Sequence, residues 1–586
     1  MDKHEVAAIL DEIGTLLEIR GENRFRTQAY HNAARAIEQL EESLADVITE
    51  GRLDQVPGIG ETLREKITTL VNTGHLPFYE DLRQKTPAGL LQMLRLPGVG
   101  PKKVQLLYSQ LGIDTLTKLK AACEEGKIAA LKGFGAKTQA KILEGIAFLD
   151  KTGQRLRIDQ AQAIAEDVLE RMRACPGIIR LALCGSLRRR KETVNDLDIL
   201  VSADDATPIM DYFVKLPGVT QIVGRGDSKS SVVLSKRLYD NRAPVSMPAD
   251  LRVVRDEQFP FALHYFTGSK EHNIAMRARA QEFGLKLNEY ELAGPKRRVK
   301  CKDEADVFRA LDLDYIPPEL REHTGELMAA AEHQLPELVE LSDLTGVFHC
   351  HTTWSDGGAS VAEMAEAARQ FGLQWLGIAD HSQSLTVASG LTPARVRKQQ
   401  EEINAVNARM DGFHLFKGTE CDILPDGSLD YNDEVLATFD YVVASVHSHF
   451  GQTQEEMTAR IVRAVSNPWV TMLGHATGRL LLVRDAYKVD LEPVLQAAAK
   501  HGTMIEINAD PHRLDLDWIH CKRARALGIP LVINPDAHST AGVGLVRYGI
   551  DVARRGWLTR DDVFNTKPLK QIAKVLAERK KKATGD

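Results

Sequence analysis

The hydrophobic pattern of the chain changes twice along its length. Residues 1–150 carry apolar side chains at the spacing of amphipathic helices, and residues 151–320 mix that spacing with short alternating runs. After residue 345, short apolar runs alternate with helical stretches, a pattern typical of parallel strands joined by helices. We predict strands at 346–348, 374–379, 413–418, 441–446, 470–473, 503–507 and 531–534. A chain of 586 residues is too long for one core, and we expect about four modules.

Polar side chains suited to metal binding follow most of these predicted strands. Imidazoles and carboxylates are the ligands that borderline divalent metals prefer. In a parallel barrel the C-terminal ends of the strands meet at one mouth, so we predict a multinuclear metal centre there. Glu506 and Asn508, at the end of the sixth predicted strand, are expected to support the ligands. The nine predicted ligands are His349, His351, Asp356, His381, Glu420, His447, His475, Asp536 and His538.

The remaining histidines of this region are interpreted differently. A single His after a strand is usually a packed or loop residue, and we assign His414, His501, His512 and His520 to that class. His449 stays open between a ligand, a phosphate contact and a loop residue. The repetition of His and Asp at successive strand ends is what favours metal binding over packing.

These motifs resemble the polymerase-and-histidinol-phosphatase (PHP) domain. The resemblance implies a distorted seven-stranded barrel with three ions of the Mn²⁺, Zn²⁺ or Fe²⁺ type, held at all nine positions named above. It also implies hydrolysis of a phosphoester by metal-activated water. The matching segments are HCHTTWSDG at 349–357, DHS at 380–382, GTE at 418–420, SVH at 445–447, GH at 474–475 and PDAH at 535–538.

A second candidate site lies in the middle of the chain. Asp196 and Asp198 alternate with apolar residues on a predicted strand, so both carboxylates face the same side. Two like charges so close need a cation between them, and hard oxygen ligands favour Mg²⁺. Asp250 lies on another alternating segment and is the expected third carboxylate. Ser186 and Arg189 are expected to hold substrate phosphates by charge-assisted hydrogen bonds.

This part of the chain, up to about residue 320, resembles a family X DNA polymerase of the DNA polymerase beta kind. The motifs are GSLRR at 185–189, DLD at 196–198, DLR at 250–252 and YFTGS at 265–269. The resemblance implies that Asp196, Asp198 and Asp250 are catalytic and hold Mg²⁺ or Mn²⁺. It further implies a nucleotide site formed by Gly185, Ser186, Arg189, Tyr265, Phe266, Gly268, Asn273 and Arg277.

Within that nucleotide site the resemblance gives each group a separate role. Tyr265, Phe266 and Gly268 line the sugar pocket, Asn273 contacts the base edge, and Arg277 contacts the template. Asn195 departs from the family, which usually has Gly at this position, and a side chain here can crowd the triphosphate.

Three Gly-hydrophobic-Gly hairpins, each opening an amphipathic helix, repeat within the first 150 residues. Glycines allow a close backbone approach, and helix N-termini offer free N–H groups to phosphates. The pattern is that of helix-hairpin-helix motifs, which bind DNA independently of sequence. The glycines are Gly58 and Gly60, Gly98 and Gly100, and Gly133 and Gly135.

The first hairpin motif also carries a lysine of interest. The place of Lys66 resembles that of the Schiff-base lysine of the deoxyribose-phosphate lyase in DNA polymerase beta. A nucleophilic lysine needs a lowered pKa, so a plain phosphate contact and lyase chemistry both stay open. A 5′-phosphate pocket is expected from Arg24, Arg26, His31 and Arg35.

Composition limits the partners and the compartment. The net charge is −6, so DNA binding is expected to depend on backbone N–H groups, metal ions and local basic patches at 188–191 and 296–298. Seven cysteines without a Cys-x-x-Cys pair suit a reducing cytoplasm. We expect no signal peptide and no membrane span, and a monomer in the cytoplasm.

Together the modules predict a multidomain α/β repair enzyme that binds gapped or nicked DNA and deoxynucleoside triphosphates. It is expected to fill gaps and to trim DNA with a Mn²⁺-dependent 3′–5′ exonuclease or abasic-site endonuclease in the barrel. The alternative is a polymerase fused to a small-molecule phosphatase of the histidinol-phosphate kind. The predicted modules are a helical DNA-binding domain at 1–85, a fingers-like helical domain at 86–150, a nucleotidyltransferase palm at 151–260, a thumb at 261–320, a linker at 321–344 and a distorted seven-stranded PHP barrel at 345–586.

Overall fold

The structure is a computed structural model that describes residues 3–38, 40, 44–56, 58–94, 96, 98–152, 155–238, 244–295 and 297–585. The chain divides into two compact units. One comprises Met1–Gln154 and Ser235–Ser246, and the other comprises Arg155–Leu234 and Met247–Asp586. No helix in the described part of the chain is long and apolar enough to cross a bilayer.

The first unit is helical, as the apolar spacing predicts. One core gathers Leu10, Ile13 and Ile67, and a second gathers Val104, Leu107 and Ile142, all fully buried. Gly58, Gly98 and Gly133 take left-handed φ values of 85°, 74° and 89°, which favours glycine at the hairpin turns. The helices are α1 Lys3–Ile19, α2 Arg24–Glu38, α3 Leu44–Thr49, α4 Glu61–Thr73, α5 Pro77–Gln84, α6 Ala88–Met93, α7 Pro101–Leu111, α8 Leu116–Glu124 and α9 Ala136–Thr152.

The palm is built on a mixed five-stranded sheet. Its strand order is β2-β4-β7-β6-β5, with β2 antiparallel to β4 and β4 parallel to β7. The alternating burial of β7 leaves its polar residues on the face opposite the core. The elements are β1 Leu156–Arg157, α10 Ile158–Arg173, β2 Arg180–Leu183, α11 Gly185–Arg188, β3 Thr193–Val194, β4 Leu197–Ser202, α12 Ala206–Phe213, β5 Val219–Arg225, β6 Lys229–Lys236, β7 Val245–Val254 and α13 Phe259–Thr267.

The thumb follows as α14 Lys270–Glu282, the small sheet β8 Lys286–Leu287, β9 Leu292–Gly294 and β10 Arg297–Arg298, and α15 Glu304–Arg309. The segment 321–344, predicted as a linker, is folded onto this module. It contains α16 Glu326–Ala331, and Ala330 and Leu338 pack in the same core as Phe308 and Leu311. Arg321 and Glu326 are fully buried there, where they pair with Glu304 and His272.

The C-terminal module is the predicted barrel of seven parallel strands, in the order β11 to β17. An isolated parallel bridge between Cys350 and Ala537 joins the last strand end to the first and nearly closes the ring. The elements are β11 Gly346–Cys350, α17 Val361–Gln370, β12 Trp375–Ile378, α18 Pro393–Asn407, β13 His414–Asp422, α19 Asp433–Leu436, β14 Tyr441–Ser445, α20 Gln454–Val465, β15 Met472–Leu473, α21 Leu491–His501, β16 Met504–Asn508, α22 Trp518–Ala526, β17 Leu531–Asn534, α23 Val546–Arg555 and α24 Leu569–Thr584.

Aromatic side chains fill the barrel below its mouth. The ring of Phe348 lies 4.5 Å from Trp375 and 4.6 Å from Tyr441, centroid to centroid. A Cβ on Gly418 would lie 2.2 Å from Cζ of Tyr441, so only glycine fits beside that ring. This packed floor leaves the polar strand ends together at the opposite end of the barrel.

Candidate active sites

Glu420 is the centre of the barrel cluster. Its carboxylate oxygens lie 2.9 Å from Nδ1 of His381 and 2.9 Å from Nε2 of His475. Nε2 of His349 and His447 approach the same carboxylate at 3.2 and 3.3 Å. Glu420 is itself 1% exposed, and burying so many ligating groups around one carboxylate suits metal binding rather than packing.

The structure brings the nine predicted ligands together at the barrel mouth. Three groups of side chains place their ligand atoms within 4.8 Å of each other among the described residues. They are His351, Asp356, His381 and His538; His349, His351 and Asp536; and His381, Glu420 and His447. His475 belongs to the same cluster through its contact with Glu420. The imidazoles and carboxylates of the cluster are donors that suit several divalent ions.

Buried ring nitrogens give an independent test of that fit. In the described part of the chain, several buried ring nitrogens of these ligands make no hydrogen bond of good geometry, although Nδ1 of His381 and Nε2 of His349 lie 2.9 and 3.2 Å from Glu420. Orphaned nitrogens at such depth are costly, and a cation at the centre would satisfy them. The nitrogens are Nε2 of His349, both ring nitrogens of His351, Nδ1 of His381 and Nδ1 of His475.

Carboxylates behind the ligands orient them. Glu506 Oε1 lies 2.5 Å from Nδ1 of His349, and Asp422 Oδ1 lies 2.5 Å from Nδ1 of His447, so both rings turn Nε2 inward. Asn508 donates from Nδ2 to Asp536 Oδ2 at 2.9 Å. Glu506 and Asn508 thus contact predicted ligands, as expected of supporting residues, and Asp422 makes a further such contact that the sequence pattern did not indicate.

Three ligands lie on strained backbone. His349, Asp536 and His475 have φ values of 58°, 51° and 22°, in the region that favours glycine. Such strain persists where the surroundings fix it and clusters at functional sites. His349 and Glu420 also lie within β11 and β13 rather than just past them, so these strands extend further than predicted.

Burial and neighbouring charges give the predicted histidine ligands different protonation states. Burial opposes the charge on His381 and His447, but Glu420 outweighs it and raises their pKa values to about 10 and about 9. Burial, reinforced by His381 and His538, lowers the pKa of His351 to about 3. His351 is therefore neutral and ready to bind a cation, whereas His381 and His447 must release a proton to do so.

The other polar residues of the barrel mouth take different positions. Asp380 is buried and accepts from Thr352 at 2.8 Å, so it braces the loop instead of binding metal. His449 bonds to Ser448 at 3.1 Å and belongs to none of the three ligand groups. Arg513, which the sequence analysis missed, places Nε 3.5 Å from Asp536 Oδ2, where it can attract a phosphate.

The palm aspartates form a second acidic cluster. Asp198 on β4 stands opposite Asp250 on the parallel strand β7. Burial, then repulsion from Asp196 and Asp250, raises the pKa of Asp198 to about 6. In this structure the Asp250 carboxylate is held by Lys229 Nζ and Ser231 Oγ, each at 2.6 Å. Among the described residues, the three aspartates are not one of the groups whose ligand atoms all lie within 4.8 Å of one another, and their ligand role stays a prediction.

Gly185 allows this cluster to form. Its φ is 62°, and a Cβ there would lie 2.1 Å from Asp198 Oδ2. The turn formed by Gly185 and Ser186 therefore lies directly against the Asp198 carboxylate. This close approach explains the need for glycine at position 185 better than turn geometry alone. Asn195, just before Asp196, is exposed.

Arg188 and Arg189, predicted as part of a free basic patch, are paired with carboxylates. Arg188 makes two bonds to Glu304, with Nη1 at 2.9 Å and Nη2 at 2.6 Å. Arg189 donates from Nε to Glu322 at 3.1 Å. The patch prediction is wrong here because the thumb and its following segment supply acidic partners, and Lys296 of the second predicted patch lies outside the described residues.

The predicted sugar pocket and base contact lie together on α13 and α14. Tyr265 and Phe266 meet edge to face at 5.2 Å, and Arg252 stacks on Phe266 at 4.4 Å. Asn273 donates to the Tyr265 carbonyl at 2.7 Å, while its buried Oδ1 has no partner among the described residues. Arg277, one turn further along α14, is half-exposed.

In the first unit, Lys66 lines a cavity of about 370 Å³ with Arg26, Tyr30, Gly58 and Gly60. Its Nζ lies 2.5 Å from the Tyr30 hydroxyl and 3.5 Å from the centre of the Phe78 ring. Burial, aided by the Arg26 charge, lowers the pKa of Lys66. The hairpin glycines and the lysine thus share one cavity.

The rest of the predicted 5′-phosphate pocket is more dispersed. His31 pairs with Asp11 at 2.6 Å, and Arg35 donates to Asn32 at 2.7 Å. Arg24 begins α2 and Arg26 pairs with Glu22 at 3.2 Å. Among the described residues, none lies within 4 Å of a Cβ added to the remaining hairpin glycines, Gly98, Gly100, Gly133 and Gly135, so their turns are open to a ligand.

Models of known protein families match four parts of the chain. The DNA polymerase beta thumb model matches residues 262–322, and the PHP domain model matches 348–510. A helix-hairpin-helix domain model matches 1–76, and a SAM-like helix-hairpin-helix tandem model matches 90–147.

Individual relatives cover different parts of the chain. The DNA polymerase/3′-5′ exonuclease PolX of Bacillus subtilis (strain 168) is 38% identical over 574 residues, 98% of this chain and 99% of that protein. DNA polymerase lambda of Rattus norvegicus is 26% identical over 338 residues, 53% of this chain and 55% of that protein. A probable phosphatase of Thermoanaerobacter sp. (strain X514) is 28% identical over 249 residues, 41% of this chain and 96% of that protein.

The chain combines a palm and thumb with a parallel barrel rich in histidine. Together these parts define an enzyme of the DNA polymerase class with a metal-dependent phosphoesterase domain. The chain belongs to the family X DNA polymerases that carry helix-hairpin-helix domains and a C-terminal PHP domain.

Proposed function

We propose that this chain fills short gaps in damaged DNA and trims 3′ ends, with the two activities in separate clusters. The palm would add deoxynucleotides through Asp196, Asp198 and Asp250, and the barrel would remove nucleotides as a Mn²⁺-dependent 3′–5′ exonuclease. The observation that carries the proposal is the presence of two acidic clusters, around Asp198 and around Glu420, on different sheets of one unit.

In the palm, this chain's residues bind and orient the substrate. Mg²⁺ or Mn²⁺ between the aspartates would lower the pKa of the primer hydroxyl and neutralise triphosphate charge. Burial and the nearby charges of Asp196 and Asp250 raise the pKa of Asp198. A cation that screens those two charges would therefore favour the ionised form of Asp198. Ser186 and Arg189 would hold the phosphates, and the free Oδ1 of Asn273 can accept from a base edge.

In the barrel, the chain's own residues fix the ligands and attract the phosphodiester. Ions of the Mn²⁺, Zn²⁺ or Fe²⁺ type would activate water and neutralise the developing phosphate charge. Glu506 and Asp422 hold the imidazoles of His349 and His447 in one orientation. Arg513 would attract the phosphate beside Asp536. The same arrangement would suit an abasic-site endonuclease.

A small-molecule phosphatase is the second candidate for the barrel, because the probable phosphatase of Thermoanaerobacter matches that part of the chain along 96% of its own length. Assays with a 3′-labelled DNA and with a generic phosphomonoester, both in Mn²⁺, separate the two. Release of mononucleotides without phosphomonoester hydrolysis would support the nuclease, and the reverse would support the phosphatase.

Lyase chemistry at Lys66 is a second candidate function for the first unit. The lowered pKa of Lys66 and its cavity beside the hairpin glycines favour a nucleophilic amine over a plain phosphate contact. Such a lyase would clear the 5′ sugar fragment before the gap is filled.

The test of the main proposal uses paired variants on gapped DNA. Replacing Asp196 and Asp198 with Ala should abolish extension and leave degradation within about twofold. Replacing His349 and His351 with Ala should do the reverse. Extension and degradation that fall together in either pair would refute the two-site assignment, provided thermal unfolding shows that the variants remain folded.

A further inference from the structure

One helix of the barrel, α23, contacts the palm and the thumb through charged residues. Arg190 Nε of the palm lies 3.6 Å from Asp551 Oδ1, and Arg554 Nε donates to Glu319 at 2.9 Å. Arg555, at the end of α23, is 1% exposed. A buried arginine needs partners: the hydrogen-bond acceptors of Arg555 belong to the polymerase half of the chain, and its guanidinium also lies 5.2 Å from the Trp518 ring of the barrel.

Arg555 and Arg189 share one carboxylate oxygen. Nη2 of Arg555 lies 3.4 Å from Glu322 Oε1, and Nε of Arg189 lies 3.1 Å from the same atom. Nη1 of Arg555 also donates to the Arg189 carbonyl at 3.4 Å. The barrel therefore contacts the backbone of the residue that we assign to the triphosphate directly, and its side chain through Glu322.

The remaining contacts of Arg189 fix the direction of its guanidinium. Nη1 donates to the Thr267 carbonyl at 2.5 Å, and Gly268 is so close that a Cβ there would lie 3.1 Å from Nη1. With Nε on Glu322 and Nη1 on Thr267, Nη2 is the nitrogen that the described residues leave available to a phosphate oxygen. The orientation of this arginine thus depends on Glu322.

Glu322 is shared by two guanidinium groups, and this sharing affects how tightly it holds Arg189. A half-buried carboxylate with one partner would bind that partner strongly and compete with a triphosphate for it. The guanidinium of Arg555 approaches the same Glu322 carboxylate. Glu322 can therefore orient Arg189 without fully neutralising the positive charge that would bind a triphosphate. The loop of Arg189 is fixed further by Arg479 of the barrel, whose Nη2 lies 3.9 Å from Glu192.

We propose that Arg555 and Glu322 are positioning residues of the polymerase site, so that the PHP barrel supplies part of the nucleotide-binding machinery. The inference rests on the proposed function, in which Arg189 binds the triphosphate. It assigns the barrel a role in nucleotide affinity that is separate from its own hydrolytic chemistry.

The test measures KM and kcat for a deoxynucleoside triphosphate on gapped DNA, with exonuclease rate and thermal unfolding as parallel readouts. Arg555→Met should raise KM roughly fivefold, leave kcat within about twofold and leave the exonuclease unchanged. Arg555→Lys should recover part of the loss. Arg547→Met, an exposed arginine on the same helix that bonds to Tyr548, is the matched control and should change nothing.

Glu322→Gln keeps the side-chain shape and tests the same link if Arg555→Met fails to fold. It should raise KM as well, and the double variant should be no worse than the poorer single variant, because both act through Arg189. A kcat loss at unchanged KM, or additive effects, would reduce the pair to a structural contact and overturn the inference.

Arg189→Met separates this inference from the proposed function. If Arg189→Met raises KM and Arg555→Met does not, only the inference fails. If Arg189→Met leaves KM unchanged, the assigned role of Arg189 in the proposed function fails, and the inference fails with it.

Discussion

Glu506 holds His349 by a bond of 2.5 Å from Oε1 to Nδ1. The same carboxylate accepts the backbone N–H of His475 through Oε2 at 2.8 Å, so one buried glutamate fixes two ligands. Replacing Glu506 with Gln should lower Mn²⁺ affinity by about 10- to 100-fold, because the amide has one acceptor oxygen in place of the two that hold His349 and His475. Isothermal titration with Mn²⁺ measures the change.

The activity readout for Glu506→Gln distinguishes metal binding from chemistry. Exonuclease activity should fall at limiting Mn²⁺ and recover in excess Mn²⁺, while extension stays unchanged. Glu492→Gln is the control, because Glu492 lies at the start of α21, is exposed and pairs with Arg523. Unchanged Mn²⁺ affinity in Glu506→Gln would contradict the supporting role.

Gly185 should tolerate no side chain, because an added Cβ would lie 2.1 Å from Asp198 Oδ2. Gly185→Ala should reduce nucleotide addition roughly 100-fold by displacing that carboxylate, with the exonuclease within about twofold. Single-nucleotide extension on gapped DNA measures the loss.

Gly177 supplies the matched control for backbone strain. Its φ of 88° is also left-handed. Among the described residues, however, the one atom within 4 Å of an added Cβ would be Ile209 Cδ1, at 3.8 Å. Gly177→Ala should therefore lose some stability and keep extension. Equal loss of extension in both variants would mean that strain, and not the collision with Asp198, causes the effect.

The barrel could be predicted closely from the sequence because its signals are local. Alternating strands and helices, with a ligand at each strand end, place His349, His381 and Asp536 at one mouth whatever the details of packing. The supporting Glu506 was also predictable, since it ends a strand of the same ring. The central place of Glu420 was not, because spacing along the chain gives no distance between side chains across a barrel.

Partners far apart in sequence could not be predicted. Arg189 and Glu322 are 133 residues apart, and Arg555 lies 366 residues from Arg189. The basic run at 188–191 is typical of a solvated patch, and only tertiary contact shows that carboxylates pair with it. The folded state of 321–344 was missed for the same reason, because its buried Arg321 and Glu326 pair with Glu304 and His272, which lie outside the segment.

Lys66 should form an imine with a 5′-deoxyribose phosphate if its lowered pKa makes it nucleophilic. Borohydride should then trap wild-type protein on an incised abasic DNA, and Lys66→Ala should lose that cross-link. Lys66→Arg keeps the charge and the DNA contact but forms no imine, so it should bind without cross-linking. Lys85→Ala, an exposed lysine paired with Asp81, should cross-link normally. Efficient binding without any wild-type cross-link would leave Lys66 as a phosphate contact.

Asp551 should make the protein less stable as pH rises. Burial, partly offset by Arg190, raises the pKa of Asp551 to about 6, above the value of about 3.9 in an unfolded chain. The native state therefore holds the proton more tightly, and the destabilisation grows between about pH 4 and pH 6 and is complete above about pH 7.

Asp551→Asn removes this titration while keeping the side-chain shape. We expect a higher Tm than wild type at pH 8, equivalent to roughly 1 to 3 kcal/mol, and little difference at pH 4.5, where Asp551 is already protonated. Asp561→Asn, at an exposed position, should leave Tm unchanged at both pH values. A lower Tm for Asp551→Asn at pH 8 would mean that its ion pair with Arg190 outweighs the cost of burial, because that pair would then stabilise the charged form.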